Sequence, residues 1–143
     1  MSMTDHSNSR RPWSSSAFRE AARSIAATGV RIYEQGWSPA TSSNYSMRLN
    51  GDFCAVTVSG RDKGLLTEAD VMVVDMAGQP ASGGKPSAET GLHTQLYRRL
   101  PDAAAVLHTH SQASTVLTMH YPQDSMLVLE GYELLKAFSG IHT

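Results

Sequence analysis

Among 143 residues there is a single cysteine, Cys54. No internal disulfide can form, and a structural zinc site built on several thiolates is excluded. A chain without disulfides suits a reducing compartment, so a cytoplasmic location is expected. An excess of charge is also missing, since 12 Lys and Arg oppose 13 Asp and Glu for a formal net charge of -1. With no global field, neither nucleic acid nor a membrane is an expected partner, and any anion site has to be local. No apolar run approaches the ~20 residues that span a bilayer. The opening Met1-Ser2-Met3-Thr4-Asp5-His6 is too polar for a signal peptide, and Arg10-Arg11 is followed by Pro12-Trp13-Ser14 instead of an apolar segment. P-loop and dinucleotide glycine fingerprints are lacking too, so nucleotide use has no support.

What is present suits one globular domain, with 41% hydrophobic and 17% charged residues and enough length for one core. Residues 1–13 are polar and unpatterned and are expected to form a flexible tail, with the domain over 14–143. Phe18, Ala21, Ala22, Ile25, Ile32 and Tyr33 recur at helical spacing, with serines 14–16 to cap the start and Gly36 to end it. Gly29 interrupts that pattern. Two extended stretches flank Asn50-Gly51, a pair suited to a hairpin turn. Thr67-Glu68-Ala69-Asp70 has the form of a capped turn, and residues 71–75 read as a buried strand. The stripe Leu92, Leu96, Leu100 predicts a helix over 87–100 with Ser87 as its cap. The apolar residues 103–107 lead into His108-Thr109-His110, after which Ser111 can cap a helix carrying Ala113, Val116 and Leu117. Residues 126–129 are a further strand candidate, and 130–138 suit a turn or a short helix. Helices and strands alternate without a repeat, which predicts a layered α/β domain with a mixed sheet.

His108-Thr109-His110 carries the sharpest chemical signal. On an extended strand, residues two apart share a face with Cα atoms roughly 6.5 to 7 Å apart, so Val106, His108 and His110 point one way. Two imidazoles so placed can converge on one divalent ion, although two solvent-bonded histidines at a strand end satisfy the same spacing. Three polar loops follow or precede secondary elements: Ser43-Asn44, Ser59-Gly60, and residues 85–89 entering a helix. Hydroxyls, an amide, freed backbone N–H groups and a helix N-terminus are what a phosphate monoester needs where net charge is near zero. Each loop alone is equally an ordinary turn. Glu89 in the first turn of a helix suits the helix dipole, and Glu133 suits an i,i+3 pair with Lys136. His93 shares a helical face with Glu89 and Tyr97 and is assigned to surface or packing. His6, His120 and His142 have no strand geometry behind them.

In combination, Ser43-Asn44-Tyr45-Ser46, Ser59-Gly60-Arg61-Asp62-Lys63-Gly64, Lys85-Pro86-Ser87-Ala88-Glu89-Thr90 and Leu107-His108-Thr109-His110-Ser111 resemble the class II, zinc-dependent aldolase family. Within it, residues 71–75, 85–90, 107–111 and 130–137 are most similar to the branch that dehydrates methylthioribulose 1-phosphate in methionine salvage. The resemblance spans residues 17–143. It implies a three-layer α/β/α sandwich with a mixed central sheet, a homotetramer, and a sugar phosphate as the small-molecule substrate. It implies Zn2+ held by His108 and His110, an anion surrounded by Ser43, Asn44, Ser59, Gly60 and Ser87, and Glu133 as the acid/base residue. Glu89 falls where the family's aldolases keep a catalytic or metal-binding glutamate, and here it is counted with the substrate-binding residues. Ser43 occupies a position often held by glycine. The family's third histidine ligand lies in a C-terminal segment with no counterpart in residues 1–143, so a truncated domain is expected. A sugar-phosphate aldolase or epimerase, and a non-catalytic domain of the same fold, are the alternatives.

Overall fold

Ser14 opens the first helix, α1 (Ser15–Glu34), its Oγ accepting the Ala17 N–H at 3.3 Å. Ala21, Ala22, Ile25, Ala26 and Gly29 form the buried stripe. Gly36, at φ +72°, ends the helical run in the left-handed region, where a Cβ is unfavourable. The structure is a computed structural model describing residues 12–123 and 125–137; the expectations for residues 1–11, His6 and His142 lie outside the described residues. Of the expected tail, Trp13 is buried, with its ring 5.1 Å from that of Phe53. Asn50 Nδ2 also donates to Pro12 O at 3.1 Å, so among the described residues Pro12 and Trp13 both make contacts with the folded unit.

The chain separates into two compact units, residues 1–112 and 113–143. The first holds a sheet of β1 (Asn44–Arg48), β2 (Phe53–Thr57), β3 (Val71–Asp75) and β4 (Ala105–His108), in the order β3-β2-β1-β4. The Asn50-Gly51 pair lies in a four-residue connection. Asn50 Oδ1 accepts the N–H groups of Asp52 at 2.9 Å and Phe53 at 3.0 Å, so a side chain replaces the carbonyl of a two-residue turn. Along the strands the two faces alternate. Tyr45, Ala55 and Val71 pack with α1 and Leu66, whereas Cys54, Val56, Met72 and Val74 pack with Tyr97 of α2 (Thr90–Arg99). Helices on opposite faces make the three layers of an α/β/α arrangement.

Every pairing among the described strands is antiparallel, where a mixed sheet was expected. The cause is the connection from β3 to β4. After β3 the chain doubles back, forming bridges Val74↔Pro80 and then Val58↔Pro86, so α2 starts at the opposite end of the sheet and β4 enters antiparallel to β1. A crossover that made only one pass would give parallel neighbours.

α2 begins three residues later than Ser87, and its leucine stripe is not the buried one. Leu92, Leu96 and Leu100 are exposed, while Thr90, His93, Thr94 and Tyr97 face inward. Leucine spacing signals a helix, but the face is chosen by hydrogen bonding. Ser46 Oγ on β1 lies 2.7 Å from both His93 Nδ1 and Tyr97 Oη, a network that leucines cannot satisfy. Arg48 closes the far end, donating from Nη2 to the carbonyls of Tyr97 at 2.8 Å and Leu100 at 3.2 Å.

Among the described residues, the regular elements from Gln112 on are α3 (Gln112–His120), all but its first residue in the second unit, and a 3₁₀ turn (Glu133–Ala137). Residues 126–129, expected as a strand, have no strand partner among the described residues and stay irregular. None of the described residues 113–137 is buried.

Gly29 explains its own place in α1. A Cβ there would stand 2.5 Å from Leu66 Cδ1 and 3.2 Å from the Tyr45 ring, both in the core, whereas a Cβ at Gly91 meets nothing within 4 Å. Replacing an exposed helical glycine by alanine stabilises by about 0.4–1 kcal/mol, while overpacking costs about 1–3 kcal/mol. Denaturant midpoints should therefore move in opposite directions, up for Gly91→Ala and down for Gly29→Ala.

Candidate active site

One end of the sheet gathers the start of β1, the turn after β2, the start of α2 and the end of β4. The loop from Trp37 to Ser43 is held there by bonds to other segments and braced by one within itself. Ser38 Oγ lies 2.5 Å from Tyr45 Oη, and Ser42 Oγ donates to Pro39 O at 2.6 Å. Lys63 Nζ donates to Thr41 O at 3.2 Å, and the His110 N–H donates to Trp37 O at 2.8 Å. Ser43 takes φ +70°, the left-handed region in which glycine is unstrained and other residues are not. On the other side the Ser59 N–H donates to Lys85 O at 2.9 Å, drawing residues 85–87 against the Ser59-Gly60 turn. These loops enclose a cleft of about 290 Å³ lined by Ser43, Ser59, Gly60, Ser87, Glu89 and His110 among others.

Asn44 does not line that cleft. Its side chain is buried, and its Oδ1 is 2.9 Å from His108 Nδ1. Glu89 Oε2 approaches the same nitrogen at 3.1 Å. The His108 and His110 rings are 4.7 Å apart, and one ligand atom from each of Glu89, His108 and His110 lies within 4.8 Å of the others. Two imidazoles and a carboxylate this close fit the donor set of a divalent ion such as zinc. The route differs from strand alternation alone. β4 ends at His108, and the bond from the His110 N–H to Trp37 O turns the second histidine toward the first.

Glu133 lies in the second unit, on the 3₁₀ turn. Its exposed carboxylate pairs with Lys136 Nζ at 3.2 Å, the pairing expected from i,i+3 spacing.

Lys63 was not singled out from the sequence, where a lysine in a polar loop resembles any solvated one. It is 2% exposed and is the only lysine or arginine lining the cleft among the described residues, with Nζ bonded to the carbonyls of Thr41 and of Arg61, the latter at 2.6 Å. Burial lowers its pKa, and the charges of Asp62 and Glu89 oppose that shift. The ammonium thus ties together the two loops on either side of the cleft. The sequence places His93 and Tyr97 on one helical face, with packing one of the two roles given to His93, and they are buried together; their common bond to Ser46 is not legible there.

The chain belongs to the family of class II aldolase and adducin N-terminal domains, whose profile matches residues 23–142. It is 71% identical over 131 residues to methylthioribulose-1-phosphate dehydratase of Alcanivorax borkumensis, covering 92% of this chain and 62% of that protein. The enzyme of the same name from Marinobacter nauticus is 56% identical over 127 residues, covering 88% of this chain and 61% of the relative. The chain thus spans about three fifths of these relatives' length. Among solved structures, L-fuculose-1-phosphate aldolase from Thermus thermophilus superposes with a TM-score of 0.59 at 30% identity, over 73% of this chain and 51% of that one. YgbL from Klebsiella pneumoniae gives a TM-score of 0.66 at 27% identity, over 71% and 49%.

His93 makes the pH dependence of stability predictable. Its pKa is lowered to about 4, first by burial and then by the neighbouring His108, against the pull of Glu89. The folded value lies below the ordinary 6.5, so between the two the unfolded chain binds more protons and stability rises with pH. That contribution is complete above about pH 6.5 and is lost as pH falls toward 4, on the order of 3 kcal/mol at the limit. Urea midpoints measured from pH 7 to 4 should fall steeply, and His93→Asn should flatten the slope.

Proposed function

We propose that the complete protein is a lyase removing water from 5-methylthioribulose 1-phosphate to give 2,3-diketo-5-methylthiopentyl 1-phosphate, in methionine salvage. The observation that carries the proposal is the junction of the Glu89, His108 and His110 donor set with a cleft lined by hydroxyls and the Ser59-Gly60 turn. The names of the relatives support this substrate over other sugar phosphates. A cytoplasmic homotetramer is part of the same reading, supported by family resemblance and by a lone buried thiol.

In this reading Ser43, Ser59, Gly60 and Ser87 hold the phosphate, and Lys63 balances its charge from beneath. Asn44, expected at the anion, serves the metal side through His108. A divalent ion such as Zn2+, where bound by His108 and His110, would supply the Lewis acidity that makes the C3 proton next to the substrate carbonyl easier to remove. Glu89 stands beside the two histidines as a third ligand or an acceptor. Glu133 takes the C3 proton and returns one to the departing C4 hydroxyl, work that needs a carboxyl group in hydrogen-bond reach.

A sugar-phosphate aldolase or epimerase is the second reading, favoured by the position of Glu89 among the donors. Product analysis separates the two, because dehydration yields an α-diketone whereas aldol cleavage yields two carbonyl fragments. For a non-catalytic domain, the separating measurement is metal content with turnover.

Assays belong on a form extended to the relatives' length. There His108→Ala and His110→Ala should each lose zinc and turnover together, since each removes one of few ligands. Full zinc occupancy with normal turnover in either variant would refute the assignment. Glu133→Gln should keep zinc and substrate binding while turnover falls by about 10²-fold or more. Near-normal dehydration by that variant would move the proton chemistry to another residue, with Glu89 next.

A further inference from the structure

We propose that Asn44 is a positioning residue for His108, its side-chain oxygen holding the proton on Nδ1 so that Nε2 is the nitrogen offered to a metal ion. The inference deepens the metal reading above and rests on it. Asn44 and His108 are direct partners in the β1–β4 register, so their side chains leave the sheet on the same face. Asn44 Oδ1 lies 2.9 Å from His108 Nδ1, and the residue is 1% exposed.

The direction of this bond follows from the atoms that meet. Asn44 Oδ1 carries no hydrogen and can only accept, so Nδ1 donates to it, with Glu89 Oε2 3.1 Å from the same Nδ1. A reversed amide would present N–H groups to Nδ1, make it an acceptor and move the proton to Nε2, which would close that nitrogen to a metal. Histidine ligands generally donate their other ring N–H to an oxygen, and losing that oxygen typically costs about 10–100-fold in metal affinity.

Asn44 suits this task better than Glu89. The Glu89 carboxyl is 38% exposed and can itself bind a metal, whereas the amide oxygen of Asn44 belongs to a buried residue and has no hydrogen to donate. The other end of the amide adds an argument. Nδ2 is buried and has no hydrogen-bond partner among the described residues, which costs about 1–3 kcal/mol. Stability alone does not account for an asparagine at this place, but the action of its oxygen on His108 does.

On the form extended to the relatives' length, the test reads the histidine directly by 15N-edited NMR of the metal-free protein, and zinc affinity by competition with a chelating dye. In the unaltered chain His108 should show a protonated Nδ1 and a bare Nε2. In a Glu89→Ala background, which removes the second acceptor, adding Asn44→Leu should shift the proton toward Nε2. In the parent chain Asn44→Leu should weaken zinc binding by about 10–100-fold. Asn44→Asp, which keeps an acceptor oxygen, should retain the Nδ1 proton, move its resonance downfield and preserve zinc affinity. The proposal is overturned if His108 keeps its tautomer in the doubly substituted chain, or if Asn44→Leu binds zinc within threefold of the parent. Should the Leu variants fail to fold, Asn44→Asp decides alone, and an unmoved Nδ1 resonance overturns the proposal. A parent chain that takes up no zinc would defeat the metal reading, while the tautomer would still report on Asn44.

Discussion

The candidate site depends on the register between β1 and β4. β4 is an edge strand, hydrogen-bonded only to β1 among the described strands, and that pairing sets Asn44 opposite His108 and Ser46 opposite Val106. A slip of one residue would send His108 to the other face of the sheet, since side chains alternate with period two. The bonded rings and carboxylate would then separate even with every residue retained. The same register lets Arg48 reach the carbonyls at the end of α2, so helix and edge strand are tied to β1 by one alignment.

That dependence explains an inner face of α2 that is polar. His93, Thr90, Thr94 and Tyr97 are buried where leucines were available to fill the layer. A leucine contact slides easily along a sheet, whereas Ser46 bonded to both His93 and Tyr97 defines one position along the helix axis. The arrangement gives up some stability: His93 is held neutral by burial, and its Nε2 has no partner among the described residues. What it secures is the placement of Glu89, one turn before His93, beside His108.

The cleft proposed for the phosphate meets a different constraint. With a net charge of -1 the chain has no surplus field to attract an anion, so in that proposed role the attraction would come from short-range donors and the buried Lys63. The carbonyls of Thr41 and Arg61 hold the Lys63 ammonium out of water while keeping it beside the cleft. The strained backbone of Ser43 and the left-handed Gly60, at φ +75°, lie on opposite loops around the same space. Such conformations persist where neighbouring bonds over-determine them, and here those bonds come from the Trp37–Ser43 loop and from Lys85.

Several features were legible in the sequence because their causes are local. Ser14 caps α1, Gly36 ends it, Thr67 and Asp70 form their capping box, and residues 71–75 form a strand, each through bonds between near neighbours or through period-two burial. His108, His110, Glu89 and the serine loops were legible as residue types that suit a metal and an anion, and the resemblance joined them into one pattern. Their assembly was decided by the tertiary structure. The doubling-back after β3 made the described sheet antiparallel, hydrogen bonds to β1 chose the polar face of α2 over its leucines, and a bond from beyond the end of β4 to Trp37 turned His110 toward His108. The roles of Lys63 and Asn44 belong to this second group, because a buried ammonium and a directed amide oxygen acquire their meaning from partners that are 22 and 64 residues away in the chain. Sequence alone determined which groups were available and, for α1 and β3, where the element would lie. Only the folded chain decided which of them share a face, because hydrogen bonds between distant residues select among helix faces and strand registers that local propensity leaves equivalent.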